Sequence, residues 1–262
     1  MLERIVSIKE AVRNPYWLFV IGGVVSVICL FVSLTVFESS IGLFFSFLVT
    51  MTMMPFMINL MRYEEARQEE LIKKGKELSV LERNKNILKV YVSFFCGMIL
   101  SLSIIYLMLP ERIVEKAFQD QINEINAIRA RVVFADTFTR IIVNNVGVLS
   151  LSFLFSVLFG AGAIFILTWN ASVLSAAIGM VAKSVGGMKG LPIAILTFFP
   201  HGSLEILAYF IGGISGGIVS AALTRRKTEG LYLILKDSFS LLIISLLLLV
   251  VAALIESIQI VI

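Results

Sequence analysis

Histidine is all but absent from this chain: His201 is the only one among 262 residues. A lone imidazole cannot supply the multi-histidine ligand sets of common zinc sites, and His201-x-x-x-Glu205 lacks the spacing of a zincin helix, so no metal centre is expected. One histidine also leaves no Ser-His-Asp set to assign, and no G-x-x-x-x-G-K-[ST] run provides the P-loop of an ATPase. Charge is scarce too, at 15% of residues, where a soluble domain carries about 25%. Basic residues are not clustered with interleaved aromatics, which argues against a nucleic-acid partner. The two cysteines, Cys29 and Cys96, both fall in apolar stretches, and a structural disulfide between them is not expected. Nothing in the pattern calls for a cofactor or identifies a catalytic residue.

What the chain has in abundance is apolar length. It is 58% hydrophobic with a mean hydropathy of +0.97, and apolar runs of the roughly 20 residues needed to cross a bilayer recur throughout. The fold class that follows is all-α: a polytopic transmembrane helical bundle of about seven spans, forming a single integral membrane domain over 1–262. Residues 1–15 read as a short interfacial helix closed by Asn14-Pro15, because proline at the next helix start gives up no needed donor. No cleavable signal segment precedes the first span, so the N-terminus is expected to be retained. Residues 16–109 carry the first three spans, at about 16–37, 41–61 and 88–109, with a charged hairpin at 62–89. Within the hairpin, Glu69/Lys73 and Glu70/Lys74 are i,i+4 pairs that extend the second helix, Gly75 is a stop, and Ser79-Val80-Leu81-Glu82 spells a capping box. Residues 110–137 form an amphipathic outer helix, with Ile113, Val114, Ala117, Phe118, Ile122, Ile125 and Ile128 at helical spacing. This helix either packs on its own bundle at the membrane surface or presents a dimerisation or partner-binding face. Residues 138–255 hold the remaining spans, with a tight turn at Gly160-Ala161-Gly162.

Lysine and arginine set the orientation. Arg62, Arg67, Lys73, Lys74, Lys76, Arg83, Lys85 and Lys89 crowd the hairpin, and Arg225, Arg226 and Lys227 follow the sixth segment. Both loops are assigned to the cytoplasmic side of the cell membrane together with the N-terminus. With seven spans the C-terminus is then outside.

The sixth segment, 191–223, would be about 50 Å long as one helix at ~1.5 Å per residue, well beyond a ~30 Å hydrocarbon core. A break at Pro200-His201-Gly202 is the expected remedy, leaving 191–199 as a re-entrant or interfacial piece and 203–223 as the span, capped by Ser203. Two readings of His201 and Glu205 stand at this point. Either Glu205 complements a helix N-terminus with His201 capping nearby, or the two belong to a polar pocket for a ligand, ion or proton. Asn144 and Asn145 in the fourth span and Asn170 in the fifth are candidates to converge on that pocket, although amides in lipid commonly serve as glue between helices. Gly212, Gly213, Gly216 and Gly217 place small residues four apart, a face for close packing within the chain or for a dimer seam.

At these residues the chain resembles the stage II sporulation protein M family. The likeness rests on Asn144-Asn145, the Phe159-Gly160-Ala161-Gly162 turn, Asn170, and Pro200-His201-Gly202 with Glu205 and a glycine-rich helix. It covers 138–223 by motif and the first three spans by hydropathy only. The founding member resembles a membrane anchor that recruits cell-wall-remodelling hydrolases during engulfment, and other members look like membrane components encoded with transport ATPases. The resemblance implies a non-enzymatic membrane scaffold or remodelling component, working in the lipid bilayer through a membrane or extracytoplasmic protein partner. A homo-oligomer, with a dimer favoured, fits the glycine face and the amphipathic helix. The alternative is a transporter or permease-like subunit with its polar site at the broken sixth segment. A second alternative is an intramembrane lipid- or peptide-processing enzyme, with His201 as general base oriented by Glu205.

Overall fold

The computed structural model describes residues 6–73, 79–129, 134–224 and 231–261. Among them the chain is helical without a strand: α1 (Ile8–Arg13), α2 (Tyr16–Val36), α3 (Ile41–Lys73), α4 (Val80–Met108), α5 (Glu111–Ala117), α6 (Gln119–Arg129), α7 (Phe134–Phe159), α8 (Ala163–Ser184), α9 (Leu191–Thr224) and α10 (Leu231–Val261). Seven of these helices are long and apolar enough to cross a membrane. Their outward faces carry Val24, Ile28, Phe47, Met51, Leu154 and Leu247, as a hydrocarbon solvent requires. Gly75 and the loop cations Lys74, Lys76, Arg225, Arg226 and Lys227 lie outside the described residues, as do the side chains of Glu69, Glu70 and Lys73.

Local chemistry sets the helix ends. Ser79 Oγ accepts from the Glu82 amide at 3.3 Å while Glu82 Oε2 accepts from the Ser79 amide at 3.0 Å, the expected capping box. The Gly160 turn uses a left-handed φ of +75°, a conformation glycine adopts without strain. The amphipathic stretch after α4 is two helices rather than one, because Phe118 at their junction turns inward to stack edge-on against Tyr106 at 5.2 Å. Both helices lie on their own bundle. Asp120 Oδ2 accepts from the Gly42 amide at 2.9 Å and so caps α3 from outside; Gln121 Nε2 donates to Ser172 Oγ at 3.1 Å. Lys183 pairs with Glu111 at 2.7 Å, and that ammonium draws the Glu111 carboxyl below its ordinary range. At the opposite end Glu64 is buried, holding Arg67 at 3.1 Å and accepting from Asn86 Nδ2 at 3.1 Å, and Arg83 bridges to Asp237 at 2.7 Å.

Close backbone approach organises the middle of the bundle. α2 and α4 meet through a reciprocal pair: a side chain on Gly22 would strike the Phe94 carbonyl, and one on Gly97 would strike the Phe19 carbonyl. The run on α9 works within the chain in the same way, with Gly212 against Leu149, Gly213 against Ala163, Gly216 against the Phe153 carbonyl and Gly217 against Met61 and Gly160. These glycines seat α9 at the centre, where Phe210 packs at 5.5 Å on Tyr91 and 5.1 Å on Phe95.

The break expected at Pro200-His201-Gly202 does not interrupt the helix: α9 is continuous from Leu191 to Thr224, with Pro200 inside it and Ser203 in mid-helix rather than at a cap. Proline deletes one rung, that to the Leu196 carbonyl, but in hydrocarbon the remaining backbone groups have no better partners than the helix itself. Length was a poor guide too, since α3 and α10, at 33 and 31 residues, are of similar size. If glycine at 202 served a break, a Cβ there would be harmful. In the continuous helix it meets only Leu174, at 3.8 Å. Gly202→Ala is therefore expected to hold or raise the melting temperature in detergent, by up to about 1 kcal/mol in stability, whereas Gly97→Val is expected to lower it by roughly 3 kcal/mol or more.

Candidate functional site

Continuity of α9 determines which polar groups meet. On an unbroken helix His201, Glu205 and Tyr209, spaced by four, share one face. That face looks toward α7 and α10. Asn145 on α7 is 5% exposed and donates from Nδ2 to Glu205 Oε1 at 2.6 Å. Asn144 Nδ2 donates to Asn145 Oδ1 at 3.3 Å, extending the chain of amides toward the outer surface of the bundle. On α10, Gln259 Oε1 lies 2.7 Å from His201 Nδ1. The Glu256 carboxyl is within hydrogen-bonding reach of the Glu205 carboxyl and near His201. Because α9 and α10 run antiparallel, His201 faces Gln259 and Glu205 faces Glu256 one turn further in.

Of the residues singled out in the sequence, Asn144, Asn145 and Glu205 are joined by hydrogen bonds, and His201 lies one turn from Glu205 on the same face of α9. Asn170 is not among them: its Nδ2 donates to the Ile166 carbonyl of its own helix at 2.8 Å. Pro200 and Gly202 flank His201 within α9 without shaping a turn, and the histidine ring packs against Phe198 at 5.9 Å between centroids. The base-and-orienter couple of the enzymatic reading is not formed, since His201 pairs with Gln259 and Glu205 with Asn145.

Glu256, Gln259 and Tyr209 escaped the sequence reading. The signal was there for Glu256: it is the only charged residue after Asp237, three positions before Gln259. Ending the last span at 255 made it look like a boundary residue. Tyr209 had no such mark in a helix rich in aromatics.

Chemically, the arrangement offers two carboxyl groups close together, an imidazole, three amides and a buried phenol. Two carboxyl groups within reach of each other can share a hydrogen bond only when at least one of them carries a proton. Among the described residues no three His, Cys, Asp or Glu side chains are grouped as metal ligands.

An all-helical chain with seven membrane-crossing helices and a polar cluster enclosed by three of them is a polytopic integral membrane protein. It belongs to the stage II sporulation protein M family, whose profile matches residues 17–258 and so takes in the first three spans and the polar cluster as far as Glu256. No curated protein and no solved structure matches the chain.

Removing the Asn145 amide strands a half-buried Glu205 oxygen, so Asn145→Ala is expected to reduce stability by about 1–2 kcal/mol. Asn170→Ala, which removes only a bond within its own helix, is expected to stay within about 0.5 kcal/mol of wild type. Thermal melts in detergent compare the two directly.

Proposed function

We propose that this chain is a non-enzymatic membrane scaffold or remodelling component that works by assembling in the plane of the bilayer, first with a second copy of itself. The observation that carries the reading is the outer face of α7. Only 22% of the α7 span is buried within the chain, against 67% for the α9 span. Its open face carries Asn144, Gly147 and Ser150 among Leu151, Leu154 and Leu158, and no atom lies within 4 Å of a Cβ placed on Gly147. A primary amide facing hydrocarbon is costly, and a glycine beside it permits the backbone of another helix to come close. An amide both donates and accepts, so Asn144 is suited to pair with its own symmetry mate across a twofold axis. In this reading the N-terminus and the charged loops face the cytoplasm and the C-terminus lies outside the cell membrane. A membrane or extracytoplasmic partner would then add to the dimer.

Single-molecule photobleaching in lipid vesicles tests the assembly. Wild type is expected to be dimeric, and Asn144→Leu combined with Gly147→Leu is expected to weaken the dimer tenfold or more, about 1.4 kcal/mol. Monomeric wild type at every protein-to-lipid ratio, with no partner copurifying, would end this reading.

One observation favours a second reading, a transporter or permease-like subunit. Ionisable groups within spans mark ion and substrate pathways in many membrane proteins, and here Glu205, Glu256 and His201 are gathered between α9 and α10. Solute or pH-gradient flux in proteoliposomes, present in wild type and lost in Glu205→Gln, is the expected result. Equal flux in both would dismiss it.

A further inference from the structure

We infer that Glu205 and Glu256, with Tyr209 beside them, form a binding site for a single exchangeable proton between α9 and α10. This goes beyond both functional readings, because the site binds its proton whether or not the chain assembles or moves a solute.

Three observations converge. The two carboxyl groups come from different helices and lie within hydrogen-bonding reach of each other. A shared hydrogen makes that contact favourable, since losing it sets two half-buried negative charges face to face. The second observation is a phenol beside the carboxyls. Tyr209 is 4% exposed, one helical turn from Glu205, and near enough to both carboxyls to feel their charge. No hydrogen bond to its hydroxyl exists among the described residues. A phenol O–H beside the pair becomes a stronger donor to it once the shared proton leaves, because the pair then carries two negative charges rather than one. The third is the surrounding frame. Asn145 holds Glu205 in place from α7, and Gln259 holds His201 from α10. Both supports are neutral amides, so the frame persists whichever charge the pair carries.

The groups that face the pair are few. On α9 they are His201, near Glu256, and Tyr209; on α10 there is Gln259 next to His201; α7 contributes Asn145 and, behind it, Asn144. α8 reaches this stretch of α9 with the apolar Leu174, beside Gly202. Among these described residues, His201 is the one basic side chain near the pair. In the step itself a hydronium ion gives its proton to one of the two carboxylates of the ionised pair and leaves as water, giving one carboxylic acid hydrogen-bonded to one carboxylate.

Infrared titration of the full chain in lipid nanodiscs reads this directly through the C=O stretch of a protonated carboxyl. Wild type is expected to show that band at neutral pH and to lose it on alkalinisation. Glu205→Gln and Glu256→Gln, which keep the shape and one hydrogen bond of the pair, are each expected to lack it. Glu64→Gln, altering the buried carboxyl at the other end of the bundle, is expected to retain it. Tyr209→Phe is expected to retain the band with its midpoint moved upward, because the ionised pair has lost its donor. A band missing from wild type throughout the titration, or surviving in both Glu→Gln variants, would overturn the site. A band abolished by sodium at constant pH would overturn the proton as the ligand. Should one Glu→Gln variant fail to fold, the other and Tyr209→Phe still decide the matter. Oligomer size recorded on the same samples separates failure of this site from failure of the assembly reading.

Discussion

In a hydrocarbon solvent a backbone N–H or C=O that leaves its helix has nowhere else to go. That constraint holds α9 together through Pro200 and Gly202, and most of what is specific to this chain depends on it. An unbroken helix keeps the four-residue spacing of His201, Glu205 and Tyr209 in register, so all three look the same way. A break would have turned His201 away from Glu205 and left Gln259 and Glu256 facing different pieces of chain. The loss of one rung at proline is small beside the cost of several unsatisfied peptide groups in lipid.

Given that rod, the glycines decide how closely it is embraced. Gly212 and Gly216 admit α7 until Leu149 and the Phe153 carbonyl touch α9. Only a helix brought that near can deliver the Asn145 amide to Glu205 at 2.6 Å. α7 thereby acquires two distinct faces at adjacent residues. Asn145 turns inward to the carboxyl pair, and Asn144, hydrogen-bonded to it, turns outward to the open surface. Assembly through the outer face and proton binding at the inner one would share this amide contact, so a change in either is placed to be felt by the other. Membership of the stage II sporulation protein M family is consistent with a protein that works by such contacts, and the family profile spans both faces.

Much of the architecture was legible because its causes are local. The capping box at Ser79 and Glu82, the Gly160 turn and the long continuation of α3 to Lys73 each follow from a few neighbouring residues. The site was legible in part. His201, Glu205 and the two asparagines were conspicuous as polar groups in apolar surroundings, and rarity is a property that a sequence displays. Gly22 and Gly97 were not conspicuous, since a glycine reveals a close crossing only when the opposing backbone is known. Asn170 shows the same kind of limit: whether an amide crosses to another helix or donates, as here, to its own helix's Ile166 carbonyl depends on which way its face points.

Composition and periodicity alone determined that this is a helical bundle made for a bilayer, because burying a backbone in lipid leaves so few alternatives that hydropathy suffices to choose among them. The tertiary structure alone decided the pairings: Glu205 with Glu256 and Asn145, His201 with Gln259, and a buried Tyr209 next to the carboxyls. Those contacts join residues up to 60 positions apart in the chain. They are set by which helices neighbour each other and at what register, and that is the outcome of packing every side chain at once rather than of any local run of residues.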